Sequence, residues 1–376
     1  MSYKRPDIGG HASLLVSMQP DWEKIQSEAI DRLRFPMAVA VVVLHYCMTL
    51  SMDATGPMRV LYIVYQEGIC RLAVPCFFII SGFLFFNNLQ EWSWDEWRRK
   101  LKSRVRTLLF PYILWNIIAL LAFWGYDNLH GNPISLFRQF QNYGGLRMFW
   151  SAHGGIPIGS SAFPVDGPLW FIRDLIYFVI LTPFIYLFIR RTKVYGILAI
   201  CVLFLIVRRA VPEGMVFFMI GAYLQLSKKN IIQLVWPHKW WLSLLAVLLL
   251  IATCVLQDHS EYWGRFIKFF FLICGIASAF CFASRDKDRK EVKLNQFLLL
   301  SSFFVFAAHD ILILRKVACP IVAQAIPTDA LWGNIIALFL TPTLAIVICL
   351  GIFFLLQKIL PRTTGVLTGN RNTQKK

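Results

Sequence analysis

Charge is scarce in these 376 residues: Asp, Glu, Lys and Arg together make up 16% of the chain, against about a quarter of an ordinary soluble domain. With 57% apolar residues, gathered in runs of about the 20 residues that a helix needs to cross the hydrocarbon core, that scarcity excludes a soluble globular protein. The two-residue alternation of a membrane β-barrel is missing as well. What remains is an all-α polytopic membrane protein. No Cys-x-x-Cys occurs among the nine cysteines, so neither a zinc site nor a dithiol redox pair is expected, and no metal. The stretch "GGIPIGS" lacks the Lys-Ser/Thr and the strand–helix context of a phosphate loop. The first residues, "MSYKRPDIGGHASLLVSMQPDWEK", hold too short an apolar patch for a signal peptide and no cleavage site after one; they read as a cytoplasmic tail.

The scarce charge is strongly biased. Lys and Arg total 38 and Asp and Glu 21, a formal charge of +17. About ten apolar runs can be marked between residues 33 and 358, among them 169–189, 194–208 and 212–227. With the N-terminus inside, basic residues favour the cytoplasmic segments by about three to one, the positive-inside pattern. Both termini are therefore expected in the cytoplasm, and the net charge is a topology signal rather than a nucleic-acid footprint. The expected organisation is a cytoplasmic tail over 1–29, a transmembrane domain over 30–358, and a cytoplasmic tail over 359–376. The segment 126–168 is an outer loop rich in Gly, Pro, Asn and Ser, too irregular for a domain and too long for a mere connector.

Within "RLRFPMAVAVVVLHY", residues 32–46, an apolar helix carries Arg34 and His45. Eleven residues at 100° each come to within about 20° of whole turns, so the two side chains share one stripe, separated by about 16 Å of rise. An ionisable group at that depth is a functional-site hypothesis. The pair suits a long anionic co-substrate whose phosphates meet Arg34 at the cytoplasmic rim while its reactive end reaches His45 as general base. The alternative is an anchoring arginine and a histidine hydrogen-bonded across helices. In "ISGFLFF", Ser81 and Gly82 allow close helix packing. In "PLWFIRDL", Arg173 and Asp174 lie one turn inside the outer face, where neighbours i and i+1 do not face each other and need separate partners. Trp170 is either an interfacial aromatic or a platform for a sugar. His309, followed by Asp310, lies near the depth of His45, as a partner in a site or as a structural hydrogen-bonder.

Six segments in order then carry a family resemblance: "DRLRFPMAVAVVVLHY", "VPCFFIISGFLFF", "KSRVRTLLFPYILW", "GPLWFIRDLIYF", "MVFFMIGAYL" and "LLLSSFFVFAAHDIL". Together they resemble the acyltransferase 3 family of membrane acyltransferases, whose mark is an Arg, ten residues, then a His. Many members carry Arg-x-x-Arg before the third helix; here Arg104 and Thr107 occupy those places, with Arg106 displaced by one. The resemblance implies transfer of an acyl group, acetyl by family frequency, from cytoplasmic acyl-CoA (acetyl-CoA) to a hydroxyl of a cell-envelope glycan, exopolysaccharide or lipid-linked saccharide, in a bacterial inner membrane. It implies His45, Arg34 and His309 as catalytic residues, with Arg34, Ser81, Arg104 and Arg106 holding the donor and Trp170, Arg173 and Asp174 the acceptor. One passage lined by Arg34, Ser81, His45, His309 and Arg173 would then join the two faces. The rival reading is a polytopic transporter of a sugar-like or acidic solute, which accounts for the buried His, Arg and Asp but requires an inverted repeat; residues 195–358 hold no second Arg…His span.

Overall fold

The computed structural model describes residues 21–50, 56–87, 89, 91–159, 162–207, 210–256, 261–284, 295–327 and 330–369. Most of the two expected tails lies outside the described residues. Every regular element among them is helical. The chain runs through α1 (Trp22–Leu50), α2 (Gly56–Phe86), α3 (Trp94–Leu129), a short α4 (Leu136–Asn142), α5 (Gly167–Ile180) and α6 (Thr182–Ile206). It continues through α7 (Glu213–Leu226), α8 (Ile231–Leu256), α9 (Trp263–Ala283), α10 (Gln296–Ala325), α11 (Leu331–Ile359) and a short α12 (Pro361–Leu367). By length and composition, six of these helices are able to cross a membrane, or seven if the bent pair α5–α6 counts as one span. The chain is therefore a helical membrane protein, although the count of ten expected spans is not established. The 14-residue α7 is apolar but too short to count.

Two prolines show where the helices do and do not depart from the apolar runs. The run 169–189 bends by 65° between α5 and α6. Pro183 lacks an N–H and crowds the carbonyl four residues back, that of Val179, and the Thr182 hydroxyl donates to that carbonyl at 2.6 Å. In contrast, Pro36 sits inside α1 without interrupting it. The Arg34–His45 stripe therefore runs along one continuous helix, which starts at Trp22, well before residue 33. Side-chain caps start α3, α8 and α10: Ser93 accepts from Glu96 N at 3.1 Å, Asn230 from Gln233 N at 3.0 Å, and Asn295 from Phe297 N at 3.0 Å, each satisfying an orphan amide.

α1 is the hub, in contact with α2, α9, α10 and α11. α2 and α7 form the most extensive helix pair, brought together by reciprocal glycines. A methyl on Gly82 would lie 2.1 Å from the Phe218 carbonyl oxygen, and one on Gly221 2.0 Å from that of Ile79. Only bare backbone fits there. At the end of the bundle that bears Arg34, α12 folds back against α3, with Trp115 Nε1 donating to Leu367 O at 3.0 Å.

Gly221→Val should force α2 and α7 apart. Overpacking of this kind costs about 1–3 kcal/mol, so the detergent-solubilised variant should melt several degrees below wild type. Equal melting temperatures would mean that the two backbones are not in contact.

Candidate active site

The two histidines meet. His45 on α1 and His309 on α10 lie edge to face with ring centroids 4.9 Å apart. His309 is fully buried. Its Nδ1 lies 2.9 Å from Phe306 O and 3.1 Å from Val305 O; both are acceptors, so Nδ1 carries the proton and Nε2 the lone pair. That Nε2 is buried and has no hydrogen-bond partner among the described residues. His45 Nδ1 is 3.5 Å from Asp310 Oδ2, and the side chain keeps 14% of its surface accessible. His45 is thus the ring that a substrate can touch, with a carboxylate on one side and a second imidazole on the other.

The backbone that delivers this carboxylate is unusual. Residues 309–318 of α10 form a π-helix, a rare wide turn that clusters at functional sites. Its i→i+5 register sets Arg315 above Asp310, and Arg315 Nε donates to Asp310 Oδ1 at 2.7 Å. Asp310 therefore bridges His45 and Arg315. Behind it stands a second carboxyl, Asp166, from the loop ahead of α5. Asp166 is 1% exposed, and neither of its carboxyl oxygens has a hydrogen-bond partner among the described residues. Burial, and then the nearby Asp310, push it well above the usual carboxylate range. Its own amide donates to Asn116 Oδ1 at 3.1 Å, which fixes the loop to α3.

A cavity of about 840 Å³ opens at the Arg34 end of the bundle, with Arg34, Ser81 and Arg104 in its wall. Arg34 pairs with Asp31 at 3.3 Å. Arg104 lies over the Phe85 ring at 6.0 Å and has no hydrogen bond among the described residues, so its donors are available. The inner wall is apolar and ends on Phe77, Phe171 and Phe306, whose rings pack with centroids 5.8–6.4 Å apart. Three expectations are corrected here. Arg106 is exposed and outside the cavity, because it points away from the helix face that carries Arg104. His45, His309 and Arg173 do not line the cavity either, so it is not the one passage that was expected to hold all of them. In addition, Arg173 and Asp174 do pair with each other, at 2.7 Å.

That last correction follows from the length of the arginine side chain, which folds back over its own helix. Arg173 also donates to the carbonyls of Trp150, Ala162 and Gly159 at 2.6–2.8 Å, and Asp174 accepts from Gly159 N at 2.7 Å. Both are almost wholly buried. They clamp the loop that ends in Asp166 onto α5. Trp170 is half-buried beside Phe78, 6.5 Å between centroids. The expected site residues thus divide into three places: His45 with His309 at the centre, Arg34 with Ser81 and Arg104 along the cavity, and Trp170, Arg173 and Asp174 at the loop. The sequence reading missed the roles of Asp310, Arg315 and Asp166. The first two had a usable signal, an acid beside a deep histidine and a base five residues on; Asp166 had none, since a loop aspartate looks solvated. No three His, Cys, Asp or Glu side chains are grouped as metal ligands among the described residues.

Comparison with known proteins accords with this geometry. Residues 27–356 match the acyltransferase domain model of the acyltransferase 3 family. The chain is also similar to the succinoglycan biosynthesis protein ExoH of Rhizobium meliloti (strain 1021), 29% identical over 147 residues, 36% of this chain and 35% of the relative. The match thus spans about a third of that curated protein. No solved structure matches the chain. With most of its length matched, and with the Arg34-to-His45 helix and the late His309 in place, the chain belongs to the acyltransferase 3 family.

Proposed function

We propose that this protein is a membrane O-acyltransferase that takes an acyl group from cytoplasmic acyl-CoA and delivers it to a hydroxyl of a cell-envelope glycan or exopolysaccharide. The observation that carries the reading is the 3.5 Å approach of His45 to Asp310 inside the helical bundle, beside a cavity lined by arginines and phenylalanines. The graded cavity suits a donor with an anionic head and an apolar acyl arm, as acyl-CoA has. The relative's name attaches it to succinoglycan, which supports a glycan acceptor here. Membership of an acyltransferase family favours this reading over the solute transporter. Arg34, Ser81 and Arg104 hold the donor from the cytoplasmic side, and the acceptor arrives from the opposite end, where Arg315 is 51% exposed. Acetyl is the proposed acyl group.

The chemistry then follows from the approach of Asp310 Oδ2 to within 3.5 Å of His45 Nδ1, a buried nitrogen with no hydrogen-bond partner among the described residues. Asp310 orients the His45 Nδ1 proton, which leaves His45 Nε2 to accept the proton of the acceptor hydroxyl. The acceptor oxygen attacks the thioester carbonyl, a C–O bond forms, and the C–S bond breaks. His45 returns the proton to the departing thiolate. His309 stands behind His45 with its lone pair toward the centre, stabilising the imidazolium that forms. The rings of Phe77, Phe171 and Phe306 keep water from the thioester and part to admit the acyl end. Arg173 and Asp174 serve the acceptor side by holding the loop that contains Asp166, and Trp170 lies at the same end.

His45→Ala should lower acyl transfer by about 10²–10⁴-fold, the usual contribution of a general base, with the affinity for acyl-CoA unchanged in calorimetric titration. Full transfer by this variant would remove His45 from the mechanism. Arg34→Ala should weaken acyl-CoA binding by about 1.5–3 kcal/mol, the worth of a charge-assisted hydrogen bond, and Arg34→Lys should recover only part of that because an ammonium lacks the two-pronged fork. Unchanged donor affinity in Arg34→Ala would count against the proposed entry. For Asp310→Asn we expect transfer to fall at unchanged donor affinity; equal rates for the variant and wild type would show that the carboxylate does not orient His45.

A further inference from the structure

A second cavity, of about 1590 Å³, lies beside the first at the same end of the bundle and shares Asp31, Arg34 and Leu84 with it. It is lined by four further cations, Arg190, Lys193, Lys228 and Lys229, none of which forms an ion pair among the described residues. Against them stand Glu23, Asp31 and Glu91, and Asp31 is engaged by Arg34. The wall also holds a stacked aromatic pair, Trp92 and Tyr186, with centroids 4.8 Å apart and planes 19° off parallel. Arg190 donates to the Tyr186 hydroxyl at 2.7 Å, and the Lys229 ammonium lies 5.5 Å from the Tyr223 ring.

The backbone singles out the same wall. Lys193 (φ +53°) and Lys228 (φ +51°) are the two non-glycine residues with positive φ among the described residues, and both line this cavity. Lys193 interrupts α6. Lys228 follows the end of α7, with its amide donating to Gln225 O at 2.9 Å and the Lys229 amide to Leu224 O at 2.8 Å. That pairing is a Schellman motif, whose left-handed position glycine fills without strain. Side chains held in strained positions cluster at ligand clamps. Two lysines thus stand where glycine would be easier, and both line one chamber.

We propose that this chamber binds the nucleotide head of the acyl-CoA donor: its phosphates lie among Arg190, Lys193, Lys228 and Lys229, and its purine lies against the Trp92–Tyr186 pair. The pantetheine arm then passes Arg34 into the first cavity, toward the phenylalanine cluster. The inference rests on acyl-CoA being the donor. It moves the phosphate contacts away from the basic start of α3, where Arg98 and Arg99 are exposed and paired with Asp95 and Glu96.

The test uses the full chain in nanodiscs of phosphatidylcholine, which present no anionic headgroup, titrated calorimetrically with CoA and with pantetheine. The variant is Lys193→Gly with Lys228→Gly, which removes two charges and relieves both strained positions. Its melting temperature should match or exceed that of wild type, while its Kd for CoA rises about ten- to a hundredfold and its weaker binding of pantetheine stays the same. Adenosine 3′,5′-bisphosphate should displace CoA from wild type and much less effectively from the variant. An unchanged Kd for CoA in a folded variant overturns the proposal and leaves the donor reading standing. A variant that loses only stabilisation by added phosphatidylglycerol assigns the lysines to lipid headgroups and likewise overturns it. If wild type binds no CoA while remaining folded, the donor reading fails and the chamber's assignment falls with it.

Discussion

The Asp310 carboxylate, held between His45 and Arg315 inside an apolar bundle, is the interaction on which the rest of this architecture turns. A buried charge is tolerated only when it is paired; Asp310 keeps 12% of its side-chain surface accessible and reaches a base, Arg315, that is 51% exposed. The pairing needs three things at once: α1 beside α10, a helix turn wide enough to place a base five residues beyond the acid, and a lid that keeps lipid away. The bundle supplies each of them. α1 packs against α10, residues 309–318 adopt the π turn, and the loop before α5 covers the cluster with Asp166 and Gly167. Asp310 Oδ2 would lie only 3.8 Å from a methyl on Gly167.

That loop is held by an interaction that looks like a binding site until its partners are counted. Arg173 and Asp174 direct their polar atoms to each other and to the backbone around residues 150–162. A buried guanidinium saturated in this way positions chain rather than substrate. Its consequence is functional all the same, because the clamped segment ends at the unpartnered carboxyl of Asp166. The acceptor side of the proposed reaction is thus built by loop backbone, whereas the donor side is built by helix faces.

The two sides also differ in polarity. At the Arg34 end, cations and aromatic rings line two adjoining cavities, and the inner one turns apolar before it reaches the histidines. Phe77, Phe171 and Phe306 line the first cavity, whereas His45 and His309 do not. In the proposed reaction these rings would keep an anionic donor apart from the Asp310 carboxylate and shield its thioester from water.

Much of the fold could be read in advance because the bilayer enforces it. Apolar runs must become helices, and Arg34 and His45 share a stripe through the geometry of a single helix, which needs no tertiary information. The pairing of His45 with His309 was suggested by matching depth, and Gly82 announced a close helix contact that Gly221 completes. What local sequence could not decide depends on the paths of side chains and turns. Arg173 reaches its own neighbour because its chain is long enough to fold back. Arg106 misses the cavity because it lies within the π turn Val105–Leu109, off the face that carries Arg104 and Thr107. The π turn that lifts Arg315 onto Asp310 leaves no periodic mark in composition. The second basic chamber assembles Arg190 and Lys193 at the kink within α6 with Lys228 and Lys229 beyond the end of α7, a meeting set by how the two helices fold back on each other. The sequence by itself therefore determined a helical membrane protein with an arginine-to-histidine axis; tertiary packing alone decided which carboxylate serves that histidine and where the cations gather, because both depend on contacts between segments far apart in the chain.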